Sequence, residues 1–141
     1  IMQGVFDKYP NQKVLIQEGG LWWLPDFMYR TDEFYLDHPG DVAFVERKLE
    51  LGEEYLRKLP SEYVKECFRF STQPMVKPSN SKHFSMLLEL CFAKDLFLFS
   101  SDWPHATYDP INWVLDGDII PEETQKRILS ENAKQFFNRL S

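Results

Sequence analysis

Asp102 and His105 are the residues of this 141-residue chain whose types and spacing most suggest chemistry. They close the stretch Leu96-Phe97-Leu98-Phe99-Ser100-Ser101-Asp102-Trp103-Pro104-His105, in which an apolar run ends in an acid, a rigid turn and an imidazole. A carboxylate where a buried strand stops can ligate a hard or borderline divalent metal, or take a proton from a metal-bound water. A histidine three residues later titrates near neutral pH and can accept or return a proton. Glu18 has a similar setting, because Val14-Leu15-Ile16 leads into Gln17-Glu18-Gly19-Gly20 and the glycines let the backbone turn sharply beside a ligand. Arg30 is a planar cation suited to clamping a substrate carboxylate with two prongs. Trp22, Trp23 and Trp103 can wall an aromatic pocket. Each has a plainer reading beside it. Asp102 can cap the Trp103-Pro104 turn, Glu18 and His105 can be solvated loop residues, Arg30 can pair with Asp26 or Asp32, and the tryptophans can be core. For His38, before Pro39, and His83, beside Lys82, the plainer reading is preferred outright.

The elements that must position these residues follow from hydrophobic period. Residues 13–18 read as a short buried strand and residues 21–35 as a helix, with Trp22, Trp23, Phe27, Met28 and Phe34 recurring at helical spacing. A break at 36–40 precedes an amphipathic helix over 42–59 and a turn at 60–63. Residues 67–71 form a second strand, 74–81 a polar loop, 84–92 a core-facing helix, and 96–100 a third strand. Pro121-Glu122-Glu123 opens a helix with acids in its first turn, and Ser130-Glu131-Asn132 starts a last one ending at Leu140. Strands alternating with helices imply an α/β fold with parallel strands. A complete (β/α)8 barrel needs about 250 residues, so three such units make either a small open sheet or the last three-eighths of a barrel. In both, chemistry collects at the strands' carboxyl ends, here Gln17-Glu18-Gly19-Gly20, Ser71-Thr72-Gln73 and Ser101-Asp102-Trp103-Pro104-His105.

Composition narrows the partners. The chain is 43% hydrophobic and 27% charged, as in a soluble globular domain. Its net charge of −6, with no basic run, argues against nucleic acid. No apolar stretch approaches the roughly 20 residues of a membrane span, and no secretory signal opens the chain. Cys67 and Cys91 are far apart among apolar neighbours and read as reduced core thiols of a cytoplasmic protein.

At this point an ordered set of motifs resembles one family. Phe99-Ser100-Ser101-Asp102-Trp103-Pro104-His105 is similar to the last-strand motif of the amidohydrolase-related metal-dependent barrels, the group that includes aminocarboxymuconate-semialdehyde and resorcylate-type decarboxylases. Gly4-Val5-Phe6-Asp7-Lys8-Tyr9-Pro10-Asn11 resembles the family's entry to strand six. Glu18-Gly19-Gly20, Trp23-Leu24-Pro25 and Arg30 resemble the exit from it, and Pro60-Ser61-Glu62-Tyr63 the run into strand seven. Ile120-Pro121-Glu122-Glu123 and Ile128-Leu129-Ser130-Glu131-Asn132-Ala133 resemble the closing helices. The resemblance covers nearly the whole chain.

What it implies is a single partial barrel domain over 1–141, equivalent to about strands six to eight of a (β/α)8 barrel, with strands one to five outside this chain. It implies one divalent metal, zinc or manganese, in the parent enzyme, with Asp102 as its ligand and as a catalytic residue. His105 joins Asp102 in catalysis, while Glu18, Arg30 and Trp103 contact the substrate. The expected activity is hydrolysis or decarboxylation of a carboxylated small molecule by a homodimer. Many decarboxylating members carry a histidine at the end of strand six, where this chain has Glu18 nearby. The family's first-strand His-x-His or Glu-x-His and its strand-five histidine have no counterpart here. Three protein ligands are typical of a catalytic metal, so this chain alone is expected to be inactive and to bind no metal. The alternative is a non-catalytic half-barrel whose open sheet edges serve interaction with another chain.

Overall fold

The computed structural model describes residues 1–38, 41 and 56–137. They belong to two compact units, one of residues 1–14 and 26–68, the other of residues 15–25 and 69–141.

In the first unit, helix α1 (Val5–Lys8) starts after Gly4, whose φ of 69° lies in the left-handed region that glycine enters without a steric cost. Phe6 on α1 is buried with Leu56, Tyr63 and Cys67, and Ile1, Met2, Val14, Tyr35 and Phe68 pack against them. Helix α2 (Trp23–Asp37) holds a different face inward from the one its aromatics suggest. Leu24 and Met28 are each 1% exposed, whereas Trp22, Trp23, Phe27 and Phe34 all face solvent in part. Leu21, Leu24 and Met28 fall at i, i+3 and i+7, so the slimmer aliphatic stripe is buried and the wide rings stay partly exposed. Residues 60–63, expected as a turn, are instead the first turn of helix α3 (Pro60–Cys67). Pro60 needs no N–H partner at the first helical position, the Glu62 carboxylate accepts the Leu59 N–H at 2.8 Å, and Asp32 accepts the Ser61 N–H at 2.8 Å. The orphan donors of the helix start are thereby satisfied. The helix expected over 42–59 lies outside the described residues except for 56–59, which are not helical.

The sheet has the order β1-β2-β3, with β1 at Val14–Ile16, β2 at Phe68–Ser71 and β3 at Phe97–Leu98. β2 and β3 run parallel, Phe70 opposite Phe97 and Ser71 opposite Leu98. Phe70 and Phe97 are buried and meet edge-to-face at 6.4 Å. β3 is shorter than the apolar run predicts, because Leu96 ends helix α5 (Ala93–Leu96). Before it, helix α4 (Ser81–Leu90) is capped by the Asn80 side chain and buries Phe84, Leu87 and Leu88.

The carboxyl end is one helical run rather than two. Helix α6 (Glu122–Lys126) passes through a π-helical turn (Arg127–Glu131) into helix α7 (Asn132–Phe137). The wide turn serves β3 directly: Ile128 O accepts the Phe99 N–H at 3.0 Å, and the Asn132 amide donates to Lys94 O at 2.8 Å and Phe97 O at 2.9 Å. Cys67 and Cys91 are free buried thiols, as read from their neighbours. Burial pushes the Cys91 thiol up to about 12. Among the described residues, no helix is long and apolar enough to cross a membrane.

Candidate functional site at the strand carboxyl ends

Three short segments leave the sheet in the second unit, and hydrogen bonds tie them to one another. After β1, Glu18 takes a φ of 54°, left-handed for a non-glycine residue. Its N–H donates to Ser71 Oγ at 3.1 Å, and the Ser71 hydroxyl donates to Gln73 O at 3.2 Å. Gly19 is required by space, since a Cβ there would lie 2.9 Å from Ile16 Cγ2. The Trp23 indole N–H closes the turn onto Gly19 O at 2.8 Å.

After β2 and β3 the parallel ladder continues through side chains. Leu98 O accepts the Thr72 N–H at 2.9 Å. Thr72 Oγ1 accepts the Ser100 N–H at 3.1 Å and donates to Ser100 O at 3.3 Å. Fully buried Thr72 thus fixes the position of Ser100, two residues before Asp102. Asp102 itself is left-handed at φ 59°, and its side chain is 16% exposed. Strain of this kind in a non-glycine residue costs about 1–3 kcal/mol and persists where the surroundings over-determine the backbone. Gln73 Nε2 donates to Asp102 Oδ2 at 3.2 Å, and His105 Nδ1 lies 2.7 Å from Asp102 Oδ1. A carboxylate only accepts, so Nδ1 carries the proton in this pair. The His105 N–H also donates to Asp102 O at 2.9 Å.

The hydrogen bond to Asp102, then the charge of Asp102, hold His105 above the usual histidine range, and Glu18 contributes a smaller push the same way. The His105 side chain is otherwise 70% exposed. Asp109, absent from the residues singled out in the sequence, is buried just behind. Its Oδ2 accepts the Met75 N–H, and its own N–H donates to Ser101 O at 2.8 Å. It therefore ties the exit of β2 to the exit of β3. Burial raises its carboxyl pKa, the Met75 N–H opposes that, and the Asp102 charge adds to it. Trp103 is 71% exposed and meets Tyr108 edge-on at 5.1 Å.

Of the five residues read from the sequence, Asp102 and His105 form one hydrogen-bonded pair, and Glu18 acts on His105 through its charge. Trp103 follows Asp102 and points into solvent. Arg30 belongs to the first unit, where its guanidinium holds the Asp26 carboxylate at 3.0 Å with its side chain 75% exposed. Gln73 and Asp109 are the partners that residue type alone did not reveal. Gln73 was legible only as the residue two places past an apolar strand.

A divalent metal would find one well-placed ligand here. The Asp102 carboxylate has the right chemistry, stands at a strand end and is held by two partners, which fits one ligand of a set. Among the described residues no group of three His, Cys, Asp or Glu side chains could complete that set.

Residues 1–139 match the protein-family model described as Amidohydrolase. The fold is similar to that of 5-carboxyvanillate decarboxylase from Sphingomonas paucimobilis, with a TM-score of 0.67 and 18% identity over 97% of this chain and 37% of that one. It is also similar to a dihydroxybenzoic acid decarboxylase from a Polaromonas species, solved with manganese and the inhibitor 2-nitroresorcinol, with a TM-score of 0.60 and 24% identity over 99% of this chain and 38% of that one. The 2,6-dihydroxybenzoate decarboxylase from Rhizobium matches with a TM-score of 0.58 and 23% identity, over 98% of this chain and 38% of that one. The chain thus spans well under half the length of the structures it matches. No curated protein has a sequence that matches it significantly.

Proposed function

The chain belongs to the amidohydrolase family and has the fold of the carboxyl-terminal part of a (β/α)8 barrel, and on that premise we propose that it serves a metal-dependent decarboxylase of carboxylated aromatic molecules. The observation that carries the reading is the Asp102 carboxylate, held on one oxygen by Gln73 and on the other by His105 where β3 ends. The decarboxylases of like fold, one of them with manganese, support decarboxylation over hydrolysis.

In this reading Asp102 is this chain's ligand to a divalent metal, zinc or manganese, and the other ligands come from residues beyond those described. When bound, the metal polarises a substrate oxygen. The chain's own groups handle the proton. His105, whose pKa the Asp102 carboxylate raises, presents the rest of its ring to solvent and delivers a proton to the carbon that loses carbon dioxide. The bond between that carbon and the carboxylate breaks, its electron pair stays on the ring, and the proton replaces the departing group. Glu18 favours the charged imidazole through its own negative charge. Trp103, exposed beside this pair, offers an aromatic face for a ring-bearing substrate.

The test is carbon dioxide release from a panel of hydroxylated benzoates by the protein that carries this chain, supplied with Mn²⁺ or Zn²⁺. Release is expected to fall by at least about 100-fold in His105→Gln, the lower end of what general acid catalysis contributes. Asp102→Asn should lose at least as much. Undiminished release in Asp102→Asn, or after the metal is stripped, overturns the mechanism. Cleavage of an ester or amide without release of carbon dioxide overturns the reaction assigned here.

A further inference from the structure

We propose that Gln73 is a positioning residue, holding the Asp102 carboxylate in the orientation from which it acts; this rests on the function proposed above. Gln73 is 4% exposed. Its amide nitrogen donates to Asp102 Oδ2, while its amide oxygen is buried with no partner among the described atoms. A buried amide with one half unsatisfied is costly to a fold, and an apolar side chain of the same length would avoid that cost. What the glutamine supplies instead is a neutral donor to a carboxylate, which fixes the group without cancelling its charge. A lysine or arginine in this place would pair with Asp102 and compete with any cation it has to hold.

The geometry adds a second argument. His105 reaches Oδ1 from the same turn as Asp102, three residues on, so it moves when that turn moves. Gln73 reaches Oδ2 from the end of a different strand, whose exit is fastened by Ser71 to Gln73 O and by Thr72 to both backbone groups of Ser100. A carboxylate gripped on its two oxygens from two elements loses its rotational freedom. That grip also matches the left-handed backbone at Asp102, which the strand ends must over-determine to keep. Hydrogen-bond partners of metal-ligating carboxylates orient them in this way, and losing one typically lowers metal affinity or activity about 10–100-fold.

The experiment compares Gln73→Leu with Asp102→Asn in the protein that carries this chain, reading Mn²⁺ affinity by equilibrium titration, kcat and KM, and the denaturation midpoint. Gln73→Leu should weaken Mn²⁺ binding and lower kcat, each by about 10–100-fold, with KM little changed and the denaturation midpoint held or raised. Gln73→Met, unbranched and also without a donor, should do the same and stands in if leucine is not accommodated. A lowered midpoint with Mn²⁺ affinity and kcat as in the wild type means Gln73 only holds the fold together, and overturns the proposal. If Asp102→Asn abolishes binding while neither Gln73 variant changes it, only the positioning role falls. If wild type and Asp102→Asn alike bind no Mn²⁺, the proposed function falls with it.

Discussion

Two carboxylates in this molecule each accept a hydrogen bond from a neutral side chain, Asp7 from Tyr63 and Asp102 from Gln73, and they illustrate what such a grip can be for. In the first unit Asp7 accepts a hydrogen bond from the Tyr63 hydroxyl, and the Tyr63 oxygen accepts the Arg57 N–H at 3.0 Å. The Tyr63 ring is buried beside Phe6 and Cys67. Burial first, then the hydrogen bond to Asp7, drives the phenol well above the usual tyrosine range, so it stays protonated. In the second unit Asp102 accepts from Gln73 and His105, but it stands where β3 stops and one of its partners is largely in water. The hydrogen bonds are alike in kind. What differs is the surroundings: side chains of a core close around Tyr63, whereas Asp102 lies past the end of β3 beside a largely exposed His105. The first arrangement braces α1 against α3, and the second presents a charge.

Substitutions at the two places should separate along that line. Asp102→Asn keeps the shape and removes the charge. It should cost at least about 100-fold in carbon dioxide release while leaving the denaturation midpoint within the scatter of ordinary surface substitutions. Tyr63→Phe removes the hydroxyl from inside the core cluster and takes from Asp7 the donor it supplies. It should lower stability by about 1–3 kcal/mol in a denaturant titration, with activity per folded molecule unchanged. If Tyr63→Phe reduced turnover while stability held, the brace reading of the first pair would be wrong.

How much of this contrast the sequence discloses depends on range. The strand–helix order, the exit motif of β3 and the pairing of Asp102 with His105 are local: an apolar run, a turn and two functional residues three apart. The family resemblance also rests on ordered local motifs. What stayed hidden is contributed across the chain. Gln73 meets Asp102 from 29 residues away, and Asp109 meets Met75 from 34; no periodicity connects them. The inward face of α2 was also left undecided by helical spacing alone. Helical spacing says which residues share a stripe, but Leu24 and Met28 win the interior over Trp23 and Phe27 only when the shape of the space they fill is known. The turn expected at Pro60 was a failure of a different kind, since a proline that breaks one helix is equally suited to begin the next.

Asp109 sharpens the comparison through pH, because it is a third carboxylate, buried and close enough to Asp102 to feel its charge. Its folded pKa lies above the value of an unfolded aspartate, near 3.9, with burial as the main cause. The folded state therefore holds this proton more tightly than the unfolded chain. The stability contributed is complete below the unfolded pKa and is lost as pH rises through the folded one. Asp109→Asn cannot ionise yet can still accept the Met75 N–H. Measured by denaturant titration, the stability of wild type relative to this variant should fall as pH rises above about 4 and level off once the folded carboxyl has ionised. A difference that stays flat would mean that the Met75 hydrogen bond offsets burial, and one that rises with pH that it outweighs burial.

The smallest effect is expected at Arg30, which completes the series from braced to presented to merely surface. Its guanidinium reaches both Asp26 oxygens, Nη2 to Oδ1 at 3.0 Å and Nε to Oδ2 at 3.3 Å, one helical turn back along α2. Both side chains are more than two-thirds exposed. The pair holds Asp26 below the usual carboxylate range and Arg30 above its own, but both charges sit in water. An exposed pair at this helical spacing contributes little to stability. Arg30→Met keeps the aliphatic stem and removes the fork, so any larger stability loss cannot come from packing. Stability should drop only slightly, and the drop should shrink in high salt. The KM for a carboxylated substrate is the second reading to take. A large rise in it, against so small a change in stability, is what an arginine that anchors the substrate carboxylate would give, whereas an unchanged KM leaves Asp26 as the whole of its role.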